Sequence, residues 1–444
     1  MAAYRSGSGA RRRQRWSSCL AAAAAWAVIC LPPSLPAQEA REWEVYTPAG
    51  VERRAYPTPT TVNVGLPEPV EVPSAVTGTG QGRRLTDVEV VVTERAGGRP
   101  APGPAGDGAL RLAEDQEGHI WVITGGGLSR FDGHQWTTFT REDGVPGEFL
   151  GALLVDRQGG LWVSGAEGIV RFDGQRWAHP QVPGLENGGK MALAPNGDVW
   201  FTGRGLHDPQ RGLVGRLFRF DGQVWWEYGA DDGIPFPGNT QWLAVDRAGV
   251  VWTAITWTTE LSREPPPHDL TSFDGQRWVS YDLPEPGRFD QLYSSMHATT
   301  SGDLWLCTGS RQLLVFDGRV WKRYWDGPWG AVETMADAAG GGLWLSGTNE
   351  YGLLRGAGWA GVSREASQLM PESLLVDRSG NLWMASAYYP KLIRWPREAL
   401  PTPVGALHTP SLPNSFRLFP AHPNPFNDQT QIAFALPDRQ RVSV

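Results

Sequence analysis

An all-β fold, a seven-bladed β-propeller of four-stranded antiparallel blades followed by an incomplete β-sandwich tail, is predicted by three features of this 444-residue sequence. The first is tryptophan. Seven of the 22 tryptophans follow a glycine-rich turn and an apolar residue: Trp121, Trp162, Trp200, Trp252, Trp305, Trp344 and Trp383. Their separations of 41, 38, 52, 53, 39 and 39 residues match the unit of about 40 residues that builds a propeller blade. The second feature is a Phe-Asp-Gly-x-x-Trp pattern trailing each of the first five, at residues 131–136, 172–177, 220–225, 273–278 and 316–321. It is worn to Leu-Arg-Gly-Ala-Gly-Trp at 354–359, and at 392–395 the Asp-Gly turn is gone. The third is that each unit parses as four short strands. In the second unit, strands A to D fall at 153–155, 161–164, 169–172 and 176–179. Asp-Gly between two strand-like runs is a strong hairpin signal, here read as a type I′ turn.

From the N-terminus, residues 1–37 read as an export signal. Arg5, Arg11, Arg12, Arg13 and Arg15 precede an apolar run at 20–31, and a plausible cleavage site follows Ala37. About a dozen apolar residues fall short of the ~20 that a bilayer span needs; an uncleaved anchor is the alternative. No other stretch is apolar enough to cross a membrane. Cleavage removes five arginines and no acids, leaving 35 basic against 47 acidic residues and a charge of −12. An acidic chain without a basic block argues against a nucleic-acid partner. Only Cys307 of the three cysteines remains, so no internal disulfide or cysteine-rich metal site can form and packing must hold the fold.

The seventh unit lacks its outermost strand. The segment Trp43-Glu-Val-Tyr46 shares the Trp-x-x-aromatic spacing of Trp136/Phe139, Trp278/Tyr281 and Trp321/Tyr324. Residues 42–47 are therefore expected to close the ring as strand D of blade 7, hiding an open edge. The rest of 38–108, rich in proline, glycine and arginine, reads as a linker across the ring. The propeller proper occupies 109–398. Neighbouring blades must bury one another's faces, which suits large flat tryptophans.

The pattern Asp-x-x-Gly-x-Leu-Trp-Val followed by Gly-x-x-Arg-Phe-Asp-Gly-x-x-Trp, seen at 156–163 with 168–177, resembles the two-component regulator propeller repeat. That resemblance implies a sensor-type propeller working outside the cytoplasm: extracellular or at the cell surface, with the periplasm as the alternative. One blade, 196–205, is also similar to the repeats of streptogramin lyases, which share the fold. After a linker at 399–415, residues 416–444 contain Pro423-Asn-Pro-Phe-Asn427 and an alternating Ile432/Phe434/Leu436. This resembles the start of type IX secretion sorting domains, and equally the immunoglobulin-like domain of flagellar hook-capping proteins. Both have further strands, so the tail reads as truncated.

Strand alternation places the short, repeated A–B and C–D turns on one face and the B–C and D–A loops on the other. The two long insertions, 203–213 and 256–270, are both B–C loops, on the adjacent blades 3 and 4. Variable loops on a rigid scaffold are where binding residues concentrate. The expected ligand-binding set is Arg204, His207, Arg211, Trp257, Arg263, His268 and Trp329. Phe149 is among the further residues on the D–A loops of the same face. Aromatic faces beside guanidinium groups suit a glycan, especially one bearing carboxylates or sulfates; a peptide ligand and a protein partner are the alternatives. A lyase using His207 or His268 as base is the enzymatic alternative. No metal set is evident, since those histidines lack further ligands, and no cofactor is expected. Asp231-Asp232-Gly233 lacks the spacing of a calcium loop. Cys307 is expected to be a buried small hydrophobe.

Overall fold

The computed structural model describes residues 42–401 apart from 94–96, 107, 148, 187–188, 209–211, 233, 235–238, 257–269, 284–294, 309–311, 325–326 and 387–390, and also 417–418 and 434–435. Seven antiparallel sheets follow one another along the chain. Their inner strands (strand A) are Ala109–Glu114, Ala152–Val155, Met191–Leu193, Asn239–Val245, Ser295–Ala298, Val332–Asp337 and Ser373–Val376. Each inner strand touches the next and the last returns to the first, so they form a closed inner wall. This is the seven-bladed propeller expected.

The latch forms as expected. Glu42–Thr47 pairs antiparallel with Lys391–Trp395, placing Val45 opposite Ile393 and Tyr46 opposite Leu392. Tyr46 then packs on Trp383 of blade 7 and on Phe131 and Trp136 of blade 1, so one ring bridges the seam.

The segment after the latch is not a linker, and the sheets are not four-stranded. Gly50–Ala55 folds back on the latch as a fifth strand of blade 7. Thr60–Asn63 then pairs with strand D of blade 6, Glu68–Val70 with blade 5 and Ser74–Thr79 with blade 4. Arg83–Leu85 follows on blade 3, Val90–Thr93 on blade 2 and Arg99–Ala101 on blade 1. The N-terminal segment is a belt that runs round the rim against the blade order and pairs every outer edge. An unpaired strand D would leave a row of free N–H and C=O groups. Two belt residues at a time reach inward: Val62 and Val64 meet one inter-blade cluster, Val70 and Val72 the next.

The recurrent tryptophans pack between blades. Trp162 lies edge-on to Phe220 and Trp225 of the following blade, and Trp252 repeats this with Phe316 and Trp321. In four of the seven blades an aspartate six residues ahead of the strand B tryptophan fixes both the turn and the indole. Asp156 Oδ1 accepts the Gln158 and Gly160 N–H groups at 3.0 and 2.8 Å, while Oδ2 accepts Trp162 Nε1 at 2.9 Å. The same clamp recurs at Asp115/Trp121, Asp246/Trp252 and Asp377/Trp383. The Phe-Asp-Gly turns also hold, with a change of type. Only the glycine has positive φ, for example 97° at Gly174, and Asp173 Oδ1 accepts the Gln175 and Arg176 N–H groups. With one left-handed residue, the turn is not type I′.

Cys307 is fully buried, its sulfur accepting the Val332 N–H. Arg417–Leu418 pairs antiparallel with Phe434–Ala435. The export signal and the rest of the tail lie outside the described residues.

Candidate functional site

The first long insertion is a strand extension rather than a loop. Strands B and C of blade 3, Val199–Asp208 and Gly212–Phe220, run on past the sheet as a hairpin arm, with a register shift between Gly203 and Leu206 and His207 opposite Leu213. Its base is fixed by Arg216, which donates through Nε to the Arg204 carbonyl at 3.0 Å and through Nη1 to Glu227 Oε1 at 2.9 Å. The belt residue Arg83 donates to the other oxygen of the same carboxylate. Arg204 is exposed at the root of the arm. Of the other expected residues, the His207 backbone sits in the arm, while Arg211, Trp257, Arg263 and His268 lie outside the described residues.

Trp329 requires a correction. It is 1 % exposed and packs edge-on to Trp359 and Tyr324 between blades 5 and 6. A D–A loop connects an outer strand to an inner one, so it crosses the top of an inter-blade layer. Its large apolar residue fills that layer instead of facing a ligand.

A second set gathers on the same face, at the level where the inner strands begin. The residue ten positions ahead of each strand B tryptophan pairs opposite the second residue past that tryptophan. Blade by blade these are Arg111, Ala152, Lys190, Trp242, Ser295, Thr334 and Ser373. Three of the first four blades thus supply a long cationic or aromatic side chain at one level, and blade 2 supplies only a methyl group. Lys190 Nζ stands 5.6 Å from the centre of the Trp242 ring. Burial and the nearby Arg111 charge push its pKa down to about 8. No carboxylate pairs with it among the described residues. A cation over an indole face gains a further ~0.5–2 kcal/mol of attraction.

Arg111 donates to the Leu110 carbonyl at 2.7 Å. Burial lowers its pKa, while the Glu372 charge of blade 7 opposes that shift. Burial likewise pushes the Glu372 carboxyl up, against Arg111 and with Glu333. Glu333 is engaged by Arg364 at 3.4 Å, whose other nitrogen donates to the Thr348 carbonyl. The mouth therefore carries Arg111, Lys190 and Trp242 on blades 1, 3 and 4, and a mixed group of Glu333, Glu372 and Arg364 on the side of blades 6 and 7.

Phe149 completes the cationic sector. It lies in the D–A loop three residues ahead of Ala152, is 86 % exposed, and holds φ at 55°. A bulky residue in the left-handed region is strained by about 1–3 kcal/mol. Phe149→Gly is expected to leave the melting temperature unchanged or slightly raised in thermal unfolding, because relief of that strain offsets glycine's extra chain entropy.

Asp232 is engaged locally, its Oδ2 accepting the Gly229 N–H at 3.0 Å. Among the described residues one group, Asp115, Glu117 and His119, has metal-ligand proximity. It is on the opposite face, and Asp115 already serves the Glu117 and His119 amides, the His119 ring and Trp121.

No protein-family model matches the chain, and no curated protein matches it. Among solved structures it is similar to a streptogramin B lyase, with a TM-score of 0.51 and 16% identity over 69% of this chain and 97% of the lyase. It is also similar to the extracellular domain of a hybrid two-component system of B. thetaiotaomicron, with a TM-score of 0.50 and 13% identity over 74% of this chain. It covers 44% of that domain, less than half its length. At these identities the likeness shows the fold the chain shares with both, a β-propeller found in a lyase and in the extracellular domain of a two-component system alike.

Proposed function

We propose that the chain is an exported recognition propeller of the sensor type, binding an anionic glycan on the loop face over blades 1 to 4. What supports this most is Lys190, an ammonium without a carboxylate partner among the described residues, held over the Trp242 ring beside Arg111. A sugar ring stacks on an exposed aromatic such as Phe149, while guanidinium and ammonium groups take its carboxylate or sulfate. Arg204 at the root of the arm extends the cationic surface outward. Arg211, Trp257, Arg263, His207 and His268 belong to the same proposed face through their place in the two insertions.

Lys190 gives the reading its pH signature. An anion binds the protonated amine, so affinity is complete below a pH of about 8 and is lost as the pH rises through it. Oligogalacturonate and sulfated oligosaccharides are expected to bind saturably at pH 6.5, and neutral oligosaccharides of equal length far more weakly. Binding is expected to fall about tenfold by pH 9.5, and Lys190→Met to remove both the affinity and the pH step. Neutral sugars binding as well, or affinity flat with pH, would overturn the charge-based site; binding of acidic peptides alone would replace glycan with peptide. Arg204→Ala with Trp257→Ala is expected to abolish binding with no fall in melting temperature. Phe149→Gly is expected to weaken it likewise.

The lyase alternative has less support. Of the histidines whose side chains are described, His119 and His134 are on turns of the opposite face, His179 is in an outer strand, and His297, in the inner strand of blade 5, is engaged with Asp337 at 3.6 Å. A base would have to be His207 or His268.

A further inference from the structure

The outer rim, edged by the belt, is open between blades 2 and 3. There the belt leaves blade 3 at Leu85, opposite Trp225 at the turn-face end of strand D, and rejoins blade 2 at Val90, opposite Pro180 at the loop-face end, so residues 86–89 cross the gap between two diverging sheets diagonally. Beneath this crossing is a cavity of about 780 Å³, within the range of about 300–1,000 Å³ typical of small-molecule sites.

Aromatic edges form part of its wall: Trp162 of blade 2 and Trp225 of blade 3 are 2 % and 5 % exposed, Phe220 is half-buried, and Val88 of the belt lines it from outside. Its polar groups are amides, guanidinium groups and the Thr86 hydroxyl. Gln158 comes from the A–B turn of blade 2 and Gln223 from the C–D turn of blade 3, and no carboxylate lines the cavity. Two guanidinium groups do. Arg171 is neutralised by Asp156, with Nε 2.6 Å from Oδ2. Arg84 is exposed on the belt strand, and its side chain has no hydrogen-bond or ion-pair partner among the described residues. An apolar aromatic chamber with one uncompensated cation at its edge discriminates by shape and by charge sign.

We propose that this cavity is a binding site for a flat amphipathic anion, an aryl or polycyclic carboxylate. The ring system lies against the half-buried Phe220, Leu85 and Val88, and the carboxylate meets Arg84 with the amides of Gln158 and Gln223. The site is independent of the loop-face reading, being on the outer rim between blades 2 and 3 and built from other residues. Because the ligand touches belt and blades together, its binding also favours the docked belt by mass action.

The full chain titrated with 1-pyrenebutyrate tests this, reading energy transfer from tryptophan to pyrene, with uncharged 1-pyrenebutanol as the control. The acid is expected to bind saturably, one per chain, and the alcohol roughly tenfold more weakly. Arg84→Met is expected to bring the acid down to the alcohol's affinity without changing the alcohol. Val88→Trp, which fills the chamber, is expected to abolish transfer from both, and Lys190→Met to change neither. Equal affinity for acid and alcohol in the unaltered protein, or binding that survives Val88→Trp in a chain with unchanged circular dichroism, would overturn the proposal.

Discussion

Asp156→Ala is expected to destabilise the ring by about 3–5 kcal/mol, the cost of leaving two amides, an indole and a partly buried guanidinium without their shared acceptor. The side chain is 4 % exposed and serves two backbone amides, the Trp162 indole and the Arg171 guanidinium at once. No water can replace it for all four. Urea unfolding followed by tryptophan fluorescence measures the loss. Asp173→Ala is the matched comparison, since that aspartate also accepts two amides but stands exposed in a C–D turn; its expected cost is below about 1 kcal/mol. Similar losses for the two would mean that the indole and guanidinium bonds contribute nothing.

Tyr46→Ala is expected to cost a similar amount, about 3–5 kcal/mol, as for other large aromatic truncations in a core. Its ring, 4 % exposed, is the piece shared by blades 7 and 1. Tyr46→Phe keeps that packing and gives up only the bond from the hydroxyl to Glu44 at 3.1 Å, so about 1 kcal/mol or less is expected. Hydrogen exchange gives the spatial readout. In Tyr46→Ala the amides of 42–47 and 391–395 should exchange ahead of those in blades 3 to 5. Uniform acceleration round the ring would show that the seam is no weaker than any other blade contact.

The blades and the latch were legible because large residues carry them. A tryptophan every 40 residues or so, set by an aspartate and a glycine, is a strong periodic signal, and Trp43 and Tyr46 repeat the strand D pattern. The belt was not legible, for a physical reason. Its strands are three to six residues long and largely exposed, and each pairs an edge that already exists. They need only a pair of inward apolar residues, such as Val62/Val64 or Val70/Val72. Proline, which argues against a central strand, is tolerated there: Pro69 and Pro100 lie within belt strands because an edge has a free side. The channel-mouth set was hidden differently. Arg111, Lys190 and Trp242 look unrelated until each is counted ten places back from its blade tryptophan, and only strand register shows that this count means one level. Trp329 failed the other way, because a loop position says nothing about which side of the loop a ring faces.

The belt's reversed direction sets a timetable for assembly. Its first contact in space is its last in sequence: Arg99 meets Glu142 at a separation of 43 residues, Arg83 meets Glu227 at 144, and Thr77 meets Ser280 at 203. Thr60 reaches Gly361 at 301, and Glu44 reaches Arg394 at 350. A chain emerging from its N-terminus therefore carries its clasp from the outset and can fasten it only when the final blade exists. Loop-closure entropy for the longest of these contacts exceeds that for the shortest by only about 2 kcal/mol, so the delay is one of sequence order and not of energetic cost. Until then each new blade can be edged by the belt segment that awaits it, as a zip closes tooth by tooth toward a catch made before any of the teeth.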